Sequence, residues 1–334
     1  MDLNVKKLKK NAFRVTKNRN ITSSRIRVPG GYLNTEILEL VQKIADKYGD
    51  GTIHLTTRQG FEILNIPMEK IDEVNLELQP LMDKLNINQY AEDKNKGYSA
   101  AGTRNVAACV GNKACPFACY ETTGFAKRIE DAIFPHDFHF KIALTGCPND
   151  CIKARSNDFG IIGMTKPVYE SYRCVTCKAC INACRRKSTE ALSLVNGKVK
   201  RDASKCIGCG ECVLNCPTSA WTRDPKKFYR LAIMGRTGKK NPRLAEDFLL
   251  WADEESIIKI IENTYKYVNE HISLESPGGK EHIGYIVDRT GFMEYKKWAI
   301  EDVKFPEGTL VKDNIYWSGI HYNQNRSNSY SDYN

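Results

Sequence analysis

The 334-residue chain has no run approaching the roughly 18 uncharged apolar residues of a membrane helix, so no membrane span is expected. Its first residues, MDLNVKKLKKNAFRV, are basic, but no apolar stretch and no small-residue cleavage site follow. A secretory signal is therefore not expected. There is no G-x-G-x-x-G. Gly235-Arg236-Thr237-Gly238-Lys239 has two residues between its glycines, where a phosphate loop has four. The chain shows no nicotinamide, flavin or nucleoside-triphosphate site, so any electrons it uses come from another protein. Helix-turn-helix, zinc-finger and RNA-binding signatures are missing too, which argues against nucleic acid as a partner.

Cysteine is what the chain has in abundance: thirteen residues, twelve of which fall into three sets of four. Two sets repeat one spacing, Cys174, Cys177, Cys180, Cys184 and then Cys206, Cys209, Cys212, Cys216. The third is split, with Cys109 and Cys115 followed by Cys147 and Cys151. Cys119 is left over, either as a small buried residue or as a partner of Cys115 in a C-x3-C pair. Cysteines at ligand spacing without a signal argue for metal binding in a reducing cytoplasm rather than for disulfides.

The two repeated runs have the form C-x2-C-x2-C-x3-C, which puts three sulfurs on one tight loop and leaves a fourth to close a four-iron cube. In two-cluster ferredoxins the fourth cysteine of each run ligates the other cluster. One cluster would then take Cys174, Cys177, Cys180 and Cys216, and the other Cys206, Cys209, Cys212 and Cys184. The second run ends in Cys216-Pro217, as the bacterial pattern does, whereas the first ends in Cys184-Arg185. Zinc sites usually use separated pairs of ligands, which fits poorly. Such a module moves electrons one at a time.

Hydropathy patterning predicts a mixed α+β chain. ITSSRIRV reads as a strand ending at Pro29-Gly30-Gly31, followed by a helix capped by Asn34 or Thr35. Ile37, Leu38, Val41, Ile44, Ala45 and Tyr48 share one face of that helix. TIHLTTRQGFEILNI alternates as one half-buried strand, and a second helix covers Met68 to Leu78, bent or ended by Pro80. Residues 97–119 read as a loop, 120–132 as helix, HFKIALTG and FGIIGM as buried strands, and 253–271 as a strong helix. The last fifteen residues are polar and expected to fray.

Cys109-x5-Cys115 with Cys147-x3-Cys151 resembles the ligand set of the sirohaem sulfite and nitrite reductases. Further segments in family order strengthen the resemblance over most of the chain. Arg27-Val28-Pro29-Gly30-Gly31 resembles the Arg-x-Pro-Gly-Gly segment, Leu55-Thr56-Thr57-Arg58-Gln59 the Leu-Thr-Thr-Arg-Gln strand, and Arg104-Asn105-Val106 the Arg-Asn-Val segment. Lys141 precedes Thr145-Gly146-Cys147-Pro148-Asn149-Asp150-Cys151 where the family places lysines. Met234-Gly235-Arg236 to Pro242-Arg243 resembles its later Gly-Arg-rich segment. The family usually has Lys-x-Lys before the cysteine pair; here His139-Phe140-Lys141 puts a histidine in place of one lysine.

The resemblance implies a sirohaem reductase fold: a ferredoxin-like half-domain over 1–66, a sirohaem and [4Fe-4S] domain over 67–165 and 227–334, and an inserted two-cluster ferredoxin domain over 166–226. It implies sirohaem plus three [4Fe-4S] clusters, with Cys151 shared between the split cluster and the haem iron. Arg27, Arg104, Lys141 and His139 would face sulfite. Arg58, Arg236 and Arg243 would hold haem carboxylates, and Gly30 and Gly31 would let backbone approach the macrocycle. The implied reaction is six-electron reduction of sulfite to sulfide; nitrite reduction and a non-catalytic electron-transfer role are the alternatives. Implied partners are a flavoprotein and an iron–sulfur protein linked to NADH, with room for one copy of the repeated unit and hence self-association. The net charge of +10 would then balance anionic cofactors.

Overall fold

The computed structural model describes residues 12–84, 104–133, 138–186, 189–239, 241–273, 275 and 281–317. The basic N-terminal stretch and the polar tail read from the sequence lie outside them.

The N-terminal unit is a four-stranded antiparallel sheet of order β1-β2-β4-β3: β1 Phe13–Val15, β2 Ile21–Ile26, β3 Ile53–Leu55 and β4 Phe61–Pro67. Helices α1 (Thr35–Tyr48) and α2 (Ile71–Lys84) belong to the same unit. Asn34 caps α1 by accepting from the Ile37 amide at 3.3 Å. Ile37, Val41, Ile44, Ala45 and Tyr48 are buried, whereas Leu38 is exposed at the edge of that face. The expected single strand over TIHLTTRQGFEILNI is instead a hairpin, because Gln59 adopts a left-handed φ of 62° and turns the chain between β3 and β4. Arg58 therefore sits on a turn.

The second helix begins at Ile71, and Pro80 lies inside it. The carbonyl Pro80 leaves unbonded belongs to Leu76, which is exposed, so water can satisfy it. Val74 and Leu78 enter the same core as Ile26, Val41 and Ile63. The expected boundary between 66 and 67 thus falls inside one packed core.

The larger unit is a six-stranded sheet of order β14-β13-β12-β7-β6-β5. Its strands are β5 Ala107–Ala108, β6 Ile142–Thr145, β7 Phe159–Met164, β12 Phe228–Ile233, β13 Glu246–Ala252 and β14 Leu310–Val311. The β5–β6 and β6–β7 pairs are parallel; the other pairs are antiparallel. Helices α3 (Thr122–Ile133), α6 (Glu254–His271), α7 (Ile283–Thr290) and α8 (Phe292–Ala299) supply the rest of its core. In α6, Asp253 is the N-cap and Ile257, Ile260 and Ile261 are fully buried. Strand β7 is buried at every position, as FGIIGM predicts. A Cβ at Gly163 would collide with the Gly146 carbonyl oxygen, so only glycine lets the turn into Cys147 lie on this strand.

Between β7 and β12 the chain leaves this sheet. β8 (Pro167–Tyr169) and β11 (Trp221–Arg223) pair antiparallel as a neck, with the Tyr169 and Trp221 rings 4.6 Å apart. Beyond it lie α4 (Ala179–Arg186), the hairpin β9 (Leu192–Val195) to β10 (Lys198–Arg201), and α5 (Glu211–Leu214). Their small core is Ile181, Leu192, Val199 and Trp221 together with Cys180, Cys184 and Cys212. Among the described residues no helix is long and apolar enough to cross a membrane.

Candidate active site

Three segments far apart in sequence meet on the side chain of Asn105. Its Oδ1 accepts from the Val28 amide at 3.0 Å, and its Nδ2 donates to the carbonyls of Val28 at 2.9 Å and Arg58 at 2.7 Å. The Gln59 side-chain amide exchanges two hydrogen bonds with the backbone of Ala108, extending the edge of the large sheet toward the N-terminal unit. Gly30 and Gly31 both have left-handed φ. A Cβ at Gly30 would lie 3.1 Å from the Thr123 backbone, and one at Gly31 would lie 2.6 Å from the Gln59 side chain. Within this structure both glycines serve a turn pressed against α3 and Gln59.

The result is a cavity of about 190 Å³ lined by Arg25, Arg27, Arg58, Arg104, Lys141 and Thr57, among others. That is below the roughly 300–1,000 Å³ typical of sites for drug-sized ligands. Arg27 is buried; Glu130 on α3 accepts from its Nε at 2.8 Å. Arg58 donates to the carbonyls of Asn105 and Ile142 and to Asn157 Oδ1. Burial, together with the neighbouring arginines, pulls Arg58 and Arg104 down to about 10, which leaves both cationic at neutral pH. Lys141 donates from Nζ to the Thr237 carbonyl at 2.7 Å. Burial also lowers its pKa, opposed by Asp158. Five cationic side chains line this small space, with Arg25 paired to Glu62 and Arg27 to Glu130.

His139 does not line this cavity. Its ring is 5.4 Å from that of His282. His282 Nδ1 accepts from the Gly284 amide, so the proton sits on Nε2, 3.0 Å from Asp158 Oδ1. Asp158 Oδ2 accepts from the Lys141 amide at 2.8 Å. Burial, then Arg104, His282 and Lys239, push His139 down to about 3 against the pull of Asp158. The unfolded chain takes up this proton near pH 6.5 and the native chain only near pH 3, so stability falls on acidification between those values. The slope is at most about 1.4 kcal/mol per pH unit. His139→Gln should therefore flatten the loss of thermal midpoint between pH 7 and pH 5; an unchanged slope would assign the acid sensitivity to other groups.

Arg236 and Arg243 lie elsewhere. Both guanidiniums engage Asp288 on α7, at 2.7 and 2.5 Å, with all three side chains essentially buried. Arg243 also donates to the carbonyls of Met234 and Gly284. Expected as ligands for haem carboxylates, these two are bound to Asp288 here and fasten the 234–243 segment, whose Thr237 meets Lys141.

The split cysteines converge. The Cys109 amide donates to the Leu144 carbonyl, and Cys109 Sγ accepts from the Gly146 amide at 3.1 Å. Cys147 is pushed up to about 11 by burial, with the sulfurs of Cys119, Cys115 and Cys151 contributing. Asp150 stays on the turn by accepting from the Ala154 and Arg155 amides. Cys151 is exposed, whereas Cys109, Cys115 and Cys147 are not. Cys119 lies near them as well: Thr165 Oγ1 donates to its sulfur at 2.9 Å, and burial raises its pKa.

In the neck unit the sulfurs group across the two runs. The sulfurs of Cys216 and Cys174 lie near that of Cys180, and those of Cys206 and Cys184 near that of Cys209. A cavity is lined by all of Cys184, Cys206, Cys209 and Cys212.

Two family sequence models match. Residues 12–81 match the nitrite/sulfite reductase ferredoxin-like half domain, and residues 99–307 match the nitrite and sulphite reductase 4Fe-4S domain. The chain belongs to the nitrite and sulfite reductase family. It is 39% identical over 320 residues to a subunit of the anaerobic sulfite reductase of Salmonella typhimurium, covering 94% of each chain. It is 26% identical over 288 residues to the beta subunit of the dissimilatory-type sulfite reductase of Archaeoglobus fulgidus, covering 78% of this chain and 76% of that one. The crystal structure of dissimilatory sulfite reductase I shares its fold, with a TM-score of 0.63 at 18% identity, covering 89% of this chain and 74% of that one.

The residues of this family member fit the cofactors of such a reductase. Among the described residues no three His, Cys, Asp or Glu side chains close on a point as a single ion demands. Four thiolates around a four-iron cube stand farther apart than that. Cys151 is the exposed member of the split set. Glu130, Asp158, His282 and Asp288 escaped the sequence reading. Each is an isolated acid or histidine whose partner comes from a distant segment, so no local spacing signals it.

Proposed function

We propose that this chain is the catalytic, sirohaem-bearing subunit of a sulfite reductase, receiving electrons from an iron–sulfur protein and a flavoprotein. The observation that carries the reading is the cluster of five cationic side chains around a small cavity. Cys151 would hold sirohaem together with a [4Fe-4S] cluster, and the bound pair would supply multi-electron reduction of the substrate's sulfur. Cys109, Cys115 and Cys147 complete that cluster's ligands, and the neck unit holds two further clusters in the crossed sets Cys174, Cys177, Cys180, Cys216 and Cys206, Cys209, Cys212, Cys184.

Arg27 and Arg104 neutralise sulfite oxygens with planar donors matched to an oxyanion. Asn105 holds the three arginine-bearing segments in register, so the donors are positioned before substrate arrives. Removing the three oxygens as water takes two electrons and two protons each. Lys141, its ammonium made more acidic by burial, is the proton donor nearest the cavity. His139 is neutral in this state, and a bound dianion would raise its proton affinity.

Initial rates with sulfite and with nitrite, using one artificial reductant, test the assignment. A larger kcat/KM for sulfite with stoichiometric sulfide release is expected; preference for nitrite with ammonia release would make the chain a nitrite reductase on the same scaffold.

A further inference from the structure

The two cysteine runs of the neck unit are not equivalent in their surroundings. The second run lies against the large sheet. The Gly208 carbonyl accepts from the Thr165 amide at 2.8 Å, and a Cβ on Gly208 would be 2.9 Å from the Met164 side chain. Arg223 on β11 bridges the same contact. Its Nη1 donates to Thr165 Oγ1 at 2.9 Å and to the Ala118 carbonyl at 3.3 Å, while Nη2 donates to the Pro116 carbonyl at 3.3 Å. Those carbonyls flank the loop that carries Cys115. Thr165 in turn bonds Cys119, whose amide donates to the Gly146 carbonyl at 2.7 Å, next to Cys147. Part of the first run is open to solvent. Cys177 is exposed, as are its neighbours Tyr172 at 83% and Val175 at 65%.

We infer that the two sets are used in a fixed order: the set of Cys174, Cys177, Cys180 and Cys216 faces the electron donor, and the set of Cys206, Cys209, Cys212 and Cys184 hands electrons to the split set across Gly208, Thr165 and Arg223. The inference rests on the reading that both sets hold four-iron clusters. Each handover moves one electron, oxidising one cluster as the next is reduced, with no bond made or broken. A reduced iron–sulfur protein is the immediate one-electron source. Backbone contact shortens the path on the inner side, and solvent exposure of Cys177 leaves the outer side open.

The test is electron paramagnetic resonance of the reduced holo-protein. Cys177→Ser and Cys209→Ser each retain an oxygen ligand and shift the signal of one cluster, which labels it. A dysprosium chelate in solution should accelerate relaxation of the Cys177-labelled signal by the larger factor. The paramagnetic centre at the split set should do so for the Cys209-labelled signal. The reverse ranking, or equal effects on both, overturns the order. If a serine variant does not assemble, Arg223→Gln leaves every cysteine in place. It should shift the potential of the signal coupled to the split set and leave the chelate-sensitive one alone; the opposite shift also overturns the order. Spin counting on the unaltered protein separates the two failures, because absent neck-unit clusters sink the underlying reading, whereas clusters in reversed order sink only this inference.

Discussion

Arg27→Met will lower kcat/KM for sulfite by about 10²- to 10³-fold, the usual cost of losing one preorganised donor to a developing negative charge. It will also destabilise the fold. The Arg27 and Glu130 side chains are 2% and 7% exposed. Taking one partner from a buried pair leaves an uncompensated charge, at a cost of about 3–5 kcal/mol. The two effects can be separated. Arg27→Met combined with Glu130→Leu removes the orphaned carboxylate, so the thermal midpoint should recover while turnover stays low. Recovery of turnover together with stability would make Arg27 a residue of the fold and not of the anion site.

Asp288→Ala will act almost wholly on stability. It strands the guanidiniums of Arg236 and Arg243, both buried, and removes the tie between the 234–243 segment and α7. The expected loss is again about 3–5 kcal/mol. That corresponds to a fall in thermal midpoint on the order of 10 °C for a unit of this size. Asp288→Asn keeps one acceptor and should fall between. The comparison to make is between protein with and without sirohaem. If the two arginines fasten the segment, as their contacts show, the loss is the same in both. A loss that vanishes in the loaded protein would mean that haem carboxylates take the place of Asp288.

Much of this was legible in the sequence, and the rest was hidden for identifiable reasons. The cysteine spacings pointed to three candidate ligand groups because a cube needs several thiolates from one loop. The periodicity of residues 253–271 and the apolar run FGIIGM gave α6 and β7 because one hydrophobic face, or two, had to be buried. The reading of TIHLTTRQGFEILNI as one strand failed at Gln59, where alternation continues through a turn. That turn presents Arg58 to the site, and patterning reports burial, not direction. Glu130, Asp158, His282 and Asp288 were illegible because each gains its meaning from a partner between 45 and 124 residues away, or in the case of Asp158 from the Lys141 backbone. The identity of the arginines was visible as motif, but their engagement was not: Arg27 on Glu130, and Arg236 and Arg243 on Asp288.

The central claim is that the five-cation cavity and the split cysteines together form a sirohaem centre for sulfite. The most direct measurement is the absorption spectrum of protein purified anaerobically from a sirohaem-producing host, recorded before and after adding sulfite. Sirohaem bands that shift with sulfite, and fail to shift in Arg27→Met/Glu130→Leu, are the predicted result. Iron–sulfur absorption alone under sirohaem-replete expression would contradict the account and leave a protein that only transfers electrons.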